Sequence, residues 1–150
     1  MTKVHGVFSL FLLSLSQALA MTAMFLESVY LGLGYAIFLM ATSLTIVYTY
    51  CTKCPVRTTS CGHVFVGKIT QIFPERKEGP YSQFEYTIVV IALLSLIMIP
   101  QYWLWNNRGL LIAFWILVIL AGAEINRFVC PQCDNSQCIA CKKQKAIKKN

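Results

Sequence analysis

Charge is scarce in this chain. Only 13% of its 150 residues are Asp, Glu, Lys or Arg, against about 25% in a soluble domain. Hydrophobic residues make up 57%. A soluble fold of this size cannot cover so much apolar surface, so the solvent for most of the chain is a bilayer. Acidic residues number six and histidines two. Neither His5 nor His63 lies inside a long apolar run, which excludes a transmembrane haem held by two axial histidines. No Ser-His-Asp constellation, glycine-rich phosphate loop or carboxylate pair is present, so nothing in these motifs points to a hydrolase or a kinase, and a non-catalytic protein is the expectation.

What remains is apolar length. Four runs, over 7–26, 29–50, 84–105 and 110–129, carry no Lys or Arg before Arg127. About 20 residues suffice to cross a hydrocarbon core of roughly 30 Å. The expected fold is therefore an all-α integral membrane protein with four transmembrane helices. Connections at 27–28 and 106–109 are too short for anything but a reversal, so the helices form two antiparallel hairpins, over 1–50 and 84–129. Between them lies a soluble loop, 51–83, and after them a tail, 130–150. The first run has a second reading: Lys3, an apolar stretch and Ala18-Leu19-Ala20 resemble a signal peptide with its cleavage site. Its continuation through Phe25 and Leu26 to full spanning length favours an uncleaved helix.

The net charge of +7 is distributed as a membrane protein distributes it. Lys3, the five basic residues of the central loop (Lys53, Arg57, Lys68, Arg76 and Lys77) and Arg127 with the five tail lysines share one side of a four-span chain. Arg108 stands alone on the other. Such asymmetry is expected to place the N-terminus, central loop and tail in the cytoplasm, with the plasma or inner membrane as the location if the chain is prokaryotic. The lysine-rich tail reads as a topogenic end that touches anionic lipid, and no nucleic-acid partner is expected.

Local signals refine this outline. Pro100 should kink the third span and free a carbonyl that a neighbouring helix must accommodate. Tyr102, Trp103 and Trp105 fall where an interfacial aromatic belt belongs. Ser82 and Glu85 fit a capping box that opens the third span. Phe65, Val66, Ile69, Ile72 and Phe73 recur at helical spacing, as in a short amphipathic helix at the interface; a hairpin about Gly67 is the competing reading. Glu124, inside the fourth span, has a simple partner one turn away in Arg127.

The chemistry lies in cysteine. Four of the seven cysteines form two C-x-x-C pairs in the tail, Cys130 with Cys133 and Cys138 with Cys141. The other three, Cys51, Cys54 and Cys61, stand with His63 in the central loop. Each run begins where an apolar run ends. In a reducing cytoplasm, clustered C-x-x-C pairs bind metal or do redox work more often than they form disulfides. Eight ligands, Cys51, Cys54, Cys61, His63, Cys130, Cys133, Cys138 and Cys141, suffice for two four-coordinate sites. One grouping joins Cys51 and Cys54 to Cys130 and Cys133, leaving Cys61, His63, Cys138 and Cys141 as the second site. The other closes the tail on itself and sets Cys51, Cys54, Cys61 and His63 together. Zn²⁺ is the default metal, with iron or an iron–sulfur cluster as the alternative. Lys53, Arg57 and the tail lysines are expected to favour the thiolates.

Three functional classes follow. The first is a non-catalytic membrane protein whose metal-stapled cytoplasmic knob docks another membrane or cytoplasmic protein. The second is a membrane redox protein. The third, a handler or transporter of soft metals, is weakened because every cysteine lies outside the spans.

Overall fold

A computed structural model describes residues 2–56, 61–74, 76, 80–133, 135 and 138. Among the described residues the chain is all-helical, without strands. Four helical stretches, Lys3–Glu27, Val29–Cys51, Gln83–Trp105 and Arg108–Gln132, are long and apolar enough to cross a membrane.

The first is one helix, α1 (Thr2–Glu27). The second is α2 (Val29–Ile46), which relaxes into a π turn over Val47–Cys51. The loop holds a short helix, α3 (Val64–Ile69), extended by a 3-10 turn over Thr70–Ile72. A helix, not a hairpin, therefore occupies this segment. The third span is α4 (Gln83–Met98) and α5 (Gln101–Trp105). The fourth is α6 (Arg108–Glu124), followed by a π turn over Ile125–Val129 and a 3-10 turn over Cys130–Gln132.

Helix α1 is central. It packs against α6 and α2, while α4 packs against α2. Its inner face is built from small residues, with Ser9, Ser16, Ala20 and Ala23 buried. Small side chains let backbones approach, which is the main source of helix attraction in lipid. The two serines also satisfy their own hydroxyls, Ser9 on Gly6 O at 3.0 Å and Ser16 on Leu13 O at 2.8 Å. Ser16 and Ala20, four residues apart on this helix, are both buried, whereas Ser14 is exposed. A cluster of Ala20, Ala23, Met24, Tyr35, Leu104 and Phe114 forms the core. The outward residues, Ile37, Met40, Ile91 and Ile119 among them, are large, apolar and exposed, as a lipid-facing surface requires.

Pro100 breaks the third span between α4 and α5. Its ring removes the N–H that would reach Leu96 O. The hydroxyl of Tyr35, on α2, lies 3.3 Å from that carbonyl and 2.7 Å from Gln17 Oε1 on α1. The freed carbonyl is thus accommodated by a neighbouring helix, and one buried phenol ties three helices together. The capping box forms as expected. Ser82 Oγ accepts from Glu85 N at 3.2 Å, and Glu85 Oε2 accepts from Ser82 N at 2.8 Å.

Candidate functional site

Both spans that lead into cysteine end alike. A π turn loosens the last helical residues. Then a tight turn closes each C-x-x-C: Cys54 N donates to Cys51 O, and Cys133 N donates to Cys130 O, each at 3.2 Å. Such a turn aims two thiols to one side, the arrangement a tetrahedral metal uses.

The two cysteine runs meet. The Cys54 thiol is pushed above the ordinary thiol range, by burial first and then by the neighbouring thiols of Cys61, Cys133 and Cys138. Cys61 is raised in the same way, by burial and by Cys133. Cys51 adjoins Cys61 and Cys54. Cys54, Cys61 and Cys133, drawn from both runs, are thus within electrostatic reach of one another, a loose triangle. Neither grouping expected from the sequence contains that trio. Among the described residues no three His, Cys, Asp or Glu side chains are grouped so as to hold a metal ion. Cys141 lies outside the described residues.

Polar groups cover the cluster. Asn135, only 3% exposed, donates from Nδ2 to Cys54 Sγ at 3.3 Å and to Tyr81 OH at 3.4 Å. Tyr50 OH donates to Cys138 Sγ at 3.1 Å. The Tyr50 and Tyr81 rings stack at 4.2 Å, and Tyr81 OH donates to Tyr50 O at 3.2 Å. Asn135 and Cys54 lie 81 residues apart in the chain, so this bond joins the tail to the central loop.

His63 stands at the edge, its Nδ1 3.0 Å from Gly6 O. A carbonyl only accepts, so Nδ1 carries the proton and Nε2 keeps its lone pair, the tautomer suited to a metal ligand. Burial pushes this imidazole below its usual range, and the bond to Gly6 opposes that push. The approach is very close. A Cβ on Gly6 would stand 2.0 Å from Gly62 O, and one on Gly62 would stand 2.9 Å from Val129 Cγ1. The start of α1, the Cys61–His63 segment and the end of the fourth span are one joint.

Two charges behave differently from the sequence reading. Glu124 does not rely on Arg127. It meets His5 Nδ1 at 2.9 Å, across 119 residues of chain, and His5 stacks on Phe128 at 4.3 Å. Arg127 is exposed. Lys53 does not serve the thiolates. Its ammonium donates to Glu85 Oε2 at 2.9 Å and to Pro80 O at 3.3 Å. Glu85, buried at 6% exposure, also holds Arg76 at 2.6 Å. Arg57 and the tail lysines lie outside the described residues.

The sequence signalled the eight candidate ligands but not Tyr50, Tyr81, Asn135, Gly6 or His5. One clue was available for Glu85, a lone acid at a span end beside a basic loop. Comparison with family models, characterised proteins and solved structures yields no match.

Proposed function

We propose that this chain is a multi-pass membrane protein whose cytoplasmic face carries a thiolate metal centre. In this reading the two hairpins stand with both termini in the cytoplasm, a topology supported by the one-sided distribution of Lys and Arg. Reporter fusions after Asn107 and after Asn150 should then report opposite sides, and agreement between them would refute the topology.

The observation that carries the metal reading is the meeting of the two cysteine runs, with Asn135 of the tail on Cys54 Sγ at 3.3 Å and Tyr50, beside Cys51, on Cys138 Sγ at 3.1 Å. Bare thiols gathered in this way repel one another once ionised. A dication removes that repulsion and deprotonates its ligands outright. The centre is built around Cys54, Cys61 and Cys133, with Cys51, His63, Cys130, Cys138 and Cys141 as the remaining candidate ligands. Binding draws the triangle into a coordination shell and contributes folding free energy. Zn²⁺ is the metal assigned, and the role is structural: it staples the second span to the fourth and shapes a knob for a membrane or cytoplasmic partner.

A second reading has its own support. Asn135 N–H and Tyr50 O–H donate to cysteine sulfurs, and hydrogen bonds to sulfur tune iron–sulfur potentials. That chain would carry electrons between a soluble partner and the membrane.

One experiment separates these readings. Protein purified anaerobically from cells is assayed for zinc and iron and its absorption spectrum recorded, alongside Cys54→Ser and Cys133→Ser. Stoichiometric zinc without visible absorption, lost in both variants, supports the structural centre. Iron with charge-transfer bands supports the redox protein. Metal-free wild type, or full occupancy in both variants, refutes a shared centre.

A further inference from the structure

Helix α3 is amphipathic the wrong way round for a segment in water. Gly67 is buried in the helix and Thr70 in the 3-10 turn that extends it, and Thr70 satisfies its hydroxyl on Gly67 O at 2.7 Å. Phe65 of the helix and Ile72 of the turn point outward, while Val66, Ile69 and Phe73 are half-buried. Phe65 is 68% exposed and Ile72 80% exposed. Leaving two such side chains in water forfeits the stabilisation their burial would bring. Lys68 is also exposed and lies between them in helical order, and the stretch 61–74 contains no acidic residue.

The position of α3 names the occupant. It packs against α1 and against the π turn that ends the second span, so it sits beside two spans at the level where they leave the apolar layer. Beyond it, Phe73 meets Tyr48 at 5.8 Å, and the Arg76 guanidinium lies 5.4 Å over the same ring. Apolar groups flanked by cations at a span end match the acyl–headgroup boundary of a bilayer with anionic lipid. From this juxtaposition we infer that α3 and its 3-10 turn form a membrane-surface anchor, with Phe65 and Ile72 in lipid and Lys68 among the headgroups. The anchor fixes the height of the Cys61–His63 segment that directly precedes it. It does not depend on which metal, if any, the cysteines hold.

The test uses full-length protein reconstituted in vesicles of phosphatidylcholine and phosphatidylglycerol. Phe65→Trp and Ile72→Trp are made separately. The added fluorescence is the difference from wild type, whose Trp103, Trp105 and Trp115 give a common background. Phosphatidylcholine brominated near the carbonyl end of its chains should quench the added indole more than lipid brominated near the methyl end, and the emission should be blue-shifted. Indoles quenched by neither lipid at both positions would overturn the anchor. With red-shifted emission that result means water covers the face; with blue-shifted emission it means protein does.

Discussion

Gly6→Ala is the sharpest perturbation of the cysteine joint, because it adds one methyl group at its tightest point. The new Cβ would lie 2.0 Å from Gly62 O and 2.6 Å from Gly62 C. A comfortable carbon–oxygen contact is about 3.3 Å or longer, so the Cys61–His63 backbone must retreat by more than about 1 Å. Both offending atoms are main chain, and no rotamer change relieves the clash. Overpacking of this kind costs about 1–3 kcal/mol. The retreat also stretches the His63 bond to Gly6 O, now 3.0 Å, and losing a hydrogen bond adds about 0.5–1.5 kcal/mol. Against these stands the higher helix propensity of alanine, about 1 kcal/mol in favour of the substitution. The net expectation is destabilisation by roughly 2 kcal/mol.

Gly34→Ala is the matched control. A Cβ there meets nothing within 4 Å, so the propensity gain stands alone and stability should hold or rise. Thermal unfolding followed by helical circular dichroism in detergent reads both variants. Metal content reads whether the joint supports the centre, and Gly6→Ala should lower occupancy while Gly34→Ala leaves it intact. If the two variants melt together, the close approach of α1 to the first cysteine run is wrong.

Three other outcomes follow from the same contacts. Glu85→Gln leaves Lys53 and Arg76 without their shared carboxylate and should cost about 3 kcal/mol in unfolding free energy; an unchanged melting temperature would mean that solvent or headgroups already satisfy both cations. Glu124→Gln keeps an acceptor for His5 and should cost less than about 1 kcal/mol, whereas Glu124→Ala should cost about 1–3 kcal/mol; equal losses would show that the carboxylate charge matters and not its acceptor. In metal-stripped protein, Cys54 and Cys61 hold their protons more tightly folded than unfolded, so stability should fall as pH rises past the ordinary thiol value of about 8.5; a flat profile to pH about 10 would contradict the burial of these thiols.

The spans were legible because their signal is local. Apolar length alone identifies them, and the capping box of Ser82 and Glu85 sits within four residues. Pro100 was legible for the same reason. Its chemistry demands a partner for Leu96 O, although only the fold supplies Tyr35. The illegible parts all depend on distant pairing. Arg127 is the nearest cation to Glu124 along the helix, yet His5 reaches it from the other end of the chain. Lys53 stands between two cysteines in sequence and serves a carboxylate from α4 in space. For Cys54 the sequence left two groupings open, one of them with Cys133, and it carried no signal for Asn135, which folding sets over the Cys54 thiol. Gly6 carries no signal in a lone sequence, because a glycine near a helix start has many ordinary reasons to be there.

Helix α1 contains no cysteine, yet it determines how the thiol end is held. Gly6 takes the His63 imidazole and touches Gly62, while His5 takes Glu124 and lies on Phe128. These contacts run from one turn of α1 to both cysteine-bearing segments, one following the second span and the other ending the fourth. The tail and the central loop also meet directly, through Asn135 and Cys54. Three contacts and one continuous stretch of chain therefore close a ring: α1 to loop, loop to tail, tail to fourth span, fourth span back to α1. In a ring, breaking one link leaves the ends tethered by the others, and the loss is smaller than the bond removed. A metal joining both runs adds to the loop-to-tail link, and the α1 links hold the two runs where it binds. Gly6→Ala weakens that support, and a variant that binds the metal less tightly loses the difference from its loaded stability as well. It is accordingly expected to be more damaging in loaded than in stripped protein, and a larger loss in the stripped form would place the centre outside this ring.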